Sequence, residues 1–277
     1  MRDSSMKPFN TFPTTAAQQL QYILFDIDDT ITTEGLLTYA AYKALWDLYG
    51  HGFTVIPVTG RPAGWCDMII RQWPVDAVVG ENGAFAFYKK SREPLAGYQV
   101  LTHPNVHEDA QQKLVHLRGA CLAQVPGCRV AKDQFARRYD LAIDFCEDEP
   151  DLGLEAAYQI RDICEAMGAV AKVSSIHVNA WFGAYDKLSM ADMLLTRVFK
   201  DAEYKNKSLF FGDSPNDEPM FGFFPHSCAV ANILPFLDKL NKKPAYISEA
   251  ESGLGFAQSI SHLLELTPKR SQPTALV

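Results

Sequence analysis

The chain has no long apolar run, no surplus of basic residues and no paired-cysteine pattern, and each absence excludes a class. No uninterrupted apolar stretch approaches the roughly 20 residues that cross a bilayer as a helix, so no membrane partner is expected. Lys and Arg number 26 against 33 Asp and Glu, for a formal charge of -7. Nucleic-acid binders carry a basic face, so nucleic acid is not an expected partner either. Phosphorylated small molecules stay open, because a bound cation and a few local cations can outweigh the global charge. The 6 cysteines, at positions 66, 121, 128, 146, 164 and 228, form no C-x-x-C pair and no ligand-like spacing with histidine. They read as reduced, mostly buried thiols, which leads to the expectation of a cytoplasmic protein. Internal repeats and low-complexity tracts are absent. Residues 1–20 lack the apolar core of a secretory signal. With Pro8, Pro13 and several Ser and Thr they are expected to form a flexible tail, and residues 268–277 a second one.

What is present is a chain of 277 residues, 47% hydrophobic, long enough for one large domain or two modest ones. Short apolar runs bounded by turn residues read as buried strands, and apolar residues at helical spacing as helices. Tyr22–Phe25, Phe53–Val58 and Ala77–Val79 read as strands, with helices over Tyr39–Tyr49 and Ala63–Trp73 between them. That alternation implies a parallel α/β sheet with right-handed crossovers. From Ala84 the pattern changes to strands and helices in α+β order, among them Ala84–Tyr88, Tyr98–Leu101, Glu108–Ala123, Tyr139–Phe145, Leu154–Met167 and Ala169–Trp181. Alternation resumes at Leu188–Phe199 and Ser208–Phe211 and closes on a helix over Phe256–Leu266. The expected organisation is therefore an α/β core of residues 21–84 and 186–267, split by an α+β block of residues 85–185.

Two acidic turns stand behind apolar runs. Asp26-Ile27-Asp28-Asp29-Thr30 follows Tyr22–Phe25, and Gly212-Asp213-Ser214-Pro215-Asn216-Asp217 follows Ser208–Phe211. Ligands of parallel α/β sheets bind outside the carboxyl ends of the strands, so both clusters are expected to reach one crevice. Side-by-side carboxylates repel unless a cation lies among them, and a hard divalent ion such as Mg²⁺ suits oxygen ligands. Asp26 at a strand end has the chemistry to attack phosphorus and carry it as an acyl phosphate. Asp28 is placed to give a proton to a leaving oxygen and then activate water. Thr59-Gly60-Arg61 follows a strand and offers a hydroxyl, backbone N–H groups and a guanidinium to phosphate oxygens. Lys187 stands where the α/β alternation resumes, a cation able to balance an aspartyl phosphate. Taken singly, each has an ordinary structural reading: a helix cap, a turn, a surface charge. In the middle block Arg137, Arg138, His177, Asn179 and Trp181 are candidate substrate contacts, the last three sharing one face if they lie on one strand; for each a purely structural role fits equally well.

The ordered set Asp26-x-Asp28-x-Thr30, Thr59-Gly60-Arg61, Lys187 and Gly212-Asp213-x-x-Asn216-Asp217 resembles the four motifs of the haloacid dehalogenase superfamily. The long insert, Glu81-Asn82-Gly83-Ala84 and Ala229-Val230-Ala231-Asn232 are similar to the Cof-like, type-IIB group with its α+β cap. The resemblance covers about residues 21–266. It implies a Rossmann-like core, a Mg²⁺-dependent phosphatase and a small phosphorylated substrate, with sugar phosphates foremost. It makes Asp26 nucleophile and metal ligand, and Asp28 acid/base with its carbonyl on the metal. Thr59 and Lys187 would hold phosphate, beside Gly60, Arg61 and Asn216. Asp213 and Asp217 would complete the metal site, and Arg137, His177 and Asn179 would read the substrate from the cap. Asp29 departs from the pattern, since many relatives have glycine there. Two alternatives remain: a phosphomannomutase-like mutase, for which Trp181–Lys187 is loosely similar, and a non-catalytic phospho-acceptor module, which is normally shorter and lacks a cap.

Overall fold

The computed structural model describes residues 6–93, 96–174 and 176–270. Residues 6–20 correct the expectation of a flexible tail; residues 1–5 lie outside the described residues. Lys7–Pro8 (β1) pairs in parallel with a later strand, and Thr14–Gln19 forms helix α1. Phe9 and Phe12 are buried, with Phe9 packed on Phe211 and both rings against Tyr246. The two prolines suggested loop, but the aromatic pair between them supplies the apolar area that docks the segment. At the other end, the Arg270 guanidinium donates to the carbonyls of Ala17, Gln18 and Leu20 and lies over the Phe53 ring, so 268–270 are held too; residues 271–277 lie outside the described residues.

Next come β2 (Tyr22–Phe25), the small hairpin β3 (Thr32–Thr33) and β4 (Leu36–Leu37), α2 (Tyr39–His51), β5 (Thr54–Pro57), α3 (Ala63–Gln72) and β6 (Ala77–Gly80). β7 (Phe85–Tyr88) and β8 (Gln99–Thr102) follow, then α4 (Ala110–Gln124), β9 (Arg129–Val130), β10 (Asp140–Asp144), α5 (Gly153–Ala166), β11 (Val170–Val173) and β12 (His177–Trp181). The chain closes with α6 (Lys187–Met193), β13 (Ser208–Gly212), α7 (Glu218–Phe223), β14 (His226–Ala229), β15 (Tyr246–Ile247) and α8 (Ser252–Glu265).

The central sheet is six-stranded and parallel, in the order β1-β15-β14-β13-β2-β5. Its strands are buried on both faces, which is why they read as continuous apolar runs. Ile23, Phe25, Val55, Leu209 and Phe211 pack towards α2, α3 and α8, while Leu24, Ile56 and Phe210 pack towards α6 and α7. β5 and β13 flank β2 on opposite sides, so the strand order switches at β2, with Phe25 opposite Phe211. A crevice at the carboxyl ends is the geometric result.

β7 and β8 do not join the sheet of the middle block. β7 pairs antiparallel with β6 and β8 with β7, and β6 touches the central sheet through a Val58–Val79 bridge. The four-stranded antiparallel sheet β11-β12-β10-β9 has its own core with α4 and α5, built on Leu114, Leu117, Leu141, Ile143, Ile160 and Val178. Strand alternation puts Asp140 and Asp144 of β10, with His177, Asn179 and Trp181 of β12, on the opposite face. Among the described residues no helix is long and apolar enough to cross a membrane.

Candidate active site at the carboxyl ends of β2 and β13

Asp26 follows β2, and its N–H donates to the Phe211 carbonyl at 2.9 Å, so it stands beside Gly212 at the end of β13. Asp213 follows, its Oδ1 accepting from the Thr30 hydroxyl at 2.9 Å and its N–H donating to Asp217 Oδ2 at 3.2 Å. Glycine is required at 212 for this approach, because a Cβ there would lie 2.5 Å from Asp217 Oδ2. Asp26, Asp213 and Asp217 are all buried, and each offers an oxygen within 4.8 Å of the other two.

Lys187 enters this cluster from α6. A capping box between Asp186 and Ser189 fixes the first turn of that helix. Gly83, at φ +103°, lets the turn come so close that a Cβ would lie 2.0 Å from the Asp186 carbonyl oxygen. Lys187 Nζ then sits 3.0 Å from Asp26 Oδ1 and 3.0 Å from Asp217 Oδ1. Burial alone would lower the ammonium's pKa, but Asp217 and Asp26 outweigh it and the net direction is up. Burial pushes the Asp26 carboxyl up to about 7; Lys187 pulls it down, and Asp217 and Asp28 add to the rise. Burial, then Asp217 and Asp26, hold Asp213 well above the usual carboxylate range. Three buried carboxylates around one ammonium carry surplus negative charge, which is the condition a divalent cation relieves.

Thr59 is fully buried at the end of β5, its hydroxyl accepting from the Arg61 N–H at 3.1 Å. The Arg61 guanidinium, expected on phosphate, instead grips Asp28: Nε is 3.0 Å from each carboxylate oxygen and Nη2 is 2.6 Å from Oδ1. Asn216 Oδ1 accepts from the Ser214 hydroxyl, so this amide braces the turn between Asp213 and Asp217.

Asp29 takes φ +57°, the left-handed conformation that glycine adopts without steric cost. Its N–H donates to Thr32 Oγ1 and its carbonyl accepts from Asn232 Nδ2, which hold the turn in place. Asp29→Ala is expected to be about 1–2 kcal/mol less stable than Asp29→Gly, read as the difference between their urea midpoints multiplied by the common slope.

The three cap candidates separate. Arg137 is buried: Nη1 donates to the Gly60 carbonyl at 3.0 Å and to Asp140 at 3.0 and 3.1 Å. It joins the middle block to the Thr59-Gly60-Arg61 turn. Asn179 Nδ2 reaches Asp140 Oδ2 at 3.4 Å, and His177 Nε2 pairs with Glu147 Oε2 at 2.8 Å. Both lie on the polar face of the cap sheet, buried and already partnered.

Sequence reasoning missed the groups that join the two bodies. Glu81, fully buried after β6, accepts from the backbone N–H groups of Ala63, Arg138, Tyr139 and Asp140. Asn82 Nδ2 reaches Asp140 Oδ2 at 3.4 Å. Asp133 and Trp65, both close to Arg61, were also missed. The only local signal was Glu81-Asn82-Gly83 itself, an acidic and an amide residue directly after a strand.

A model of haloacid dehalogenase-like hydrolases matches residues 23–115. No curated protein matches the chain in sequence. Among solved structures, a Thermoplasma acidophilum protein superposes with a TM-score of 0.68 at 20% identity, over 89% of this chain and 99% of its own. A subclass IIB sugar phosphatase of the haloacid dehalogenase superfamily gives 0.62 at 13% identity, over 89% and 99%. The sucrose-phosphatase of Synechocystis, solved with sucrose and phosphate, gives 0.61 at 16% identity, over 89% and 98%. At these identities the likeness is one of fold: a parallel-sheet core with an inserted cap. The chain is thus similar to haloacid dehalogenase-like hydrolases over residues 23–115, and it shares the fold of such proteins over about nine-tenths of its length.

Proposed function

We propose that the protein is a Mg²⁺-dependent phosphatase of small phosphorylated metabolites, with sugar phosphates as the leading class, acting through an aspartyl phosphate on Asp26. The observation that carries this reading is the buried cluster of Asp26, Asp213 and Asp217, with Lys187 Nζ 3.0 Å from two of them, at the switch point of the sheet. The sugar-phosphate choice draws on what the similar structures are described as acting on, together with a cap sheet whose facing side carries amide, imidazole and carboxylate groups.

The donor set fits the metal. Carboxylate oxygens are hard ligands, and Mg²⁺ takes a few of them and keeps water and substrate oxygens for the rest. Asp26, Asp213 and the Asp28 carbonyl would hold it, with Asp217 supporting. Bound there, it would neutralise charge on the phosphoryl group and on Asp26. The protein groups would do the rest. An Asp26 oxygen attacks phosphorus, and the ester P–O bond breaks as Asp28 gives its proton to the leaving oxygen. Water then attacks the aspartyl phosphate, Asp28 takes its proton, and inorganic phosphate leaves. Lys187 fixes Asp26 and balances the transferring group, while Thr59, Gly60 and Asn216 line the phosphate side. The cap body, which we place at about residues 110–182 within the expected 85–185, would cover the crevice and admit a metabolite.

The test is a panel of phosphorylated metabolites with Mg²⁺, scored by released phosphate and by isomerised product. Phosphate release is expected; isomerisation without release would favour a mutase. Activity should vanish in chelator, and Asp213→Ala should raise the Mg²⁺ needed for half-maximal rate by about ten-fold or more, on the scale of lost ligand support. Full activity in chelator would remove the metal from the reading.

A further inference from the structure

Arg61 is a built-in arginine, fixed along its length. Its N–H donates to Thr59 Oγ1, its carbonyl accepts from the Glu81 N–H at 3.1 Å, and its guanidinium lies 4.4 Å from the Trp65 ring centroid. The side chain is only 11% exposed. One edge of the fork, Nε and Nη2, holds both oxygens of Asp28. The other edge faces the cap, with Nη1 3.9 Å from Asp133 Oδ2. Asp133 sits on the turn Lys132–Ala136, and neither of its buried carboxylate oxygens accepts a hydrogen bond. Arg137 Nε, 3.5 Å from Asp133 Oδ1, also donates none.

Two carboxylates, one from each body, therefore flank a single guanidinium, and only the core one is hydrogen-bonded. A buried carboxylate without donors is unfavourable and gains from any donor that comes within reach. At the same time, an Asp28 with both oxygens gripped by a bidentate fork has none to turn towards a leaving oxygen. We infer that Arg61 is a positioning residue that exchanges carboxylates. It holds Asp28 in the resting enzyme and closes the gap of about 1 Å to a normal hydrogen bond with Asp133 when a leaving group enters beneath the cap. That exchange releases an Asp28 oxygen for proton transfer. Only hydrogen bonds change in it: Asp28 still gives one proton to the leaving oxygen and takes one from water. The inference rests on the phosphatase reading and adds to it a link from a cap residue to the acid/base group.

The experiment compares kcat/KM, which reports the steps through leaving-group departure, for a hexose 6-phosphate and for p-nitrophenyl phosphate. The sugar alkoxide needs a proton to leave and the nitrophenolate does not. D133N is expected to lose at least ten-fold more on the sugar phosphate than on the aryl phosphate, and D133E to recover most of that difference. R61K, which keeps the charge but not the fork, should loosen the hold on Asp28 and show little of this leaving-group bias. In an R61A background, adding D133N should change neither rate further. Equal losses of D133N on both substrates, or a D133N effect undiminished in R61A, would overturn the exchange; if D133N does not fold, D133S is read in the same way against the same two outcomes. If the wild-type protein releases phosphate from neither substrate, the phosphatase reading itself falls, which is a different result.

Discussion

Asp26→Asn should release no measurable phosphate from any substrate the wild-type protein turns over, a loss of about 10⁴-fold or more, on the scale seen when a covalent nucleophile is removed. The amide is a poor nucleophile and a weak ligand for a hard cation. The substitution changes one oxygen for nitrogen among buried groups, and it reduces the carboxylate repulsion that raises Asp26 and Asp213. The folded state should therefore survive, with a melting temperature at or above that of wild type in metal-free buffer. The decisive pair of measurements is single-turnover phosphate release and acid-quench trapping of a phosphorylated protein. Wild type should give both signals and Asp26→Asn neither. A variant that still turns over at the wild-type rate would mean that another group attacks phosphorus.

Glu81→Ala should be the most damaging substitution outside the cluster of Asp26, Asp213, Asp217 and Lys187. Four backbone N–H groups converge on this one buried carboxylate, at 2.9 Å from Ala63, 2.9 Å from Arg138, 2.6 Å from Tyr139 and 3.2 Å from Asp140. Each buried donor left without an acceptor costs about 1–3 kcal/mol, so a loss of roughly 4 kcal/mol or more is expected even after water enters. Glu81→Gln should not rescue it. The amide NH₂ must replace one oxygen, and either oxygen already accepts from at least two N–H groups. Urea unfolding of both variants, with protease sensitivity around residues 131–140, checks this; a Gln variant as stable as wild type would refute the four-donor role. A pH dependence follows from the same group. Burial, then the Asp140 charge, push its carboxyl up to about 7, against the pull of the backbone donors. A folded-state value above the unfolded one means that the folded protein binds the proton more tightly, so stability should fall as pH rises from about 4.5 to 7. Asp26, raised likewise to about 7, acts in the same direction in metal-free buffer.

The core and its acidic turns were legible because their signals are local. Tyr22–Phe25 and Ser208–Phe211 are apolar runs that end in turn chemistry, and a doubly covered strand has to look like that. The docked start of the chain was not legible, since Phe9 and Phe12 find their partners in Phe211 and Tyr246, more than two hundred positions away. The apolar run Ile233–Leu240, which reads as a helix, instead lies mostly in 3₁₀ turns over residues 231–239 around Pro235, whose missing N–H and ring bulk disfavour an α-helical interior. Arg61 and Arg137 were named as phosphate and substrate contacts on residue type alone. Their engagement with Asp28 and Asp140 depends on where the cap lies over the core, which no local pattern encodes. Asp133 carried no signal at all, being one acidic residue in a short polar turn.

The pairing of β2 with β13 sets a timetable for the emerging chain. Thr30 and Asp213, hydrogen-bonded in the finished site, are 183 positions apart. At ribosomal speeds of about 5–20 residues per second, the first strand waits roughly 10–40 s for its neighbour. The cap sheet and its helices are synthesised wholly within that interval, and their contacts are with one another, so they can collapse first. Until β13 arrives, Phe25 and Leu24 present one unpaired, apolar strand edge. A nascent chain stalled before residue 208 should thus be a substrate for chaperones that hold exposed strands, while carrying a lid already formed over a hearth not yet laid.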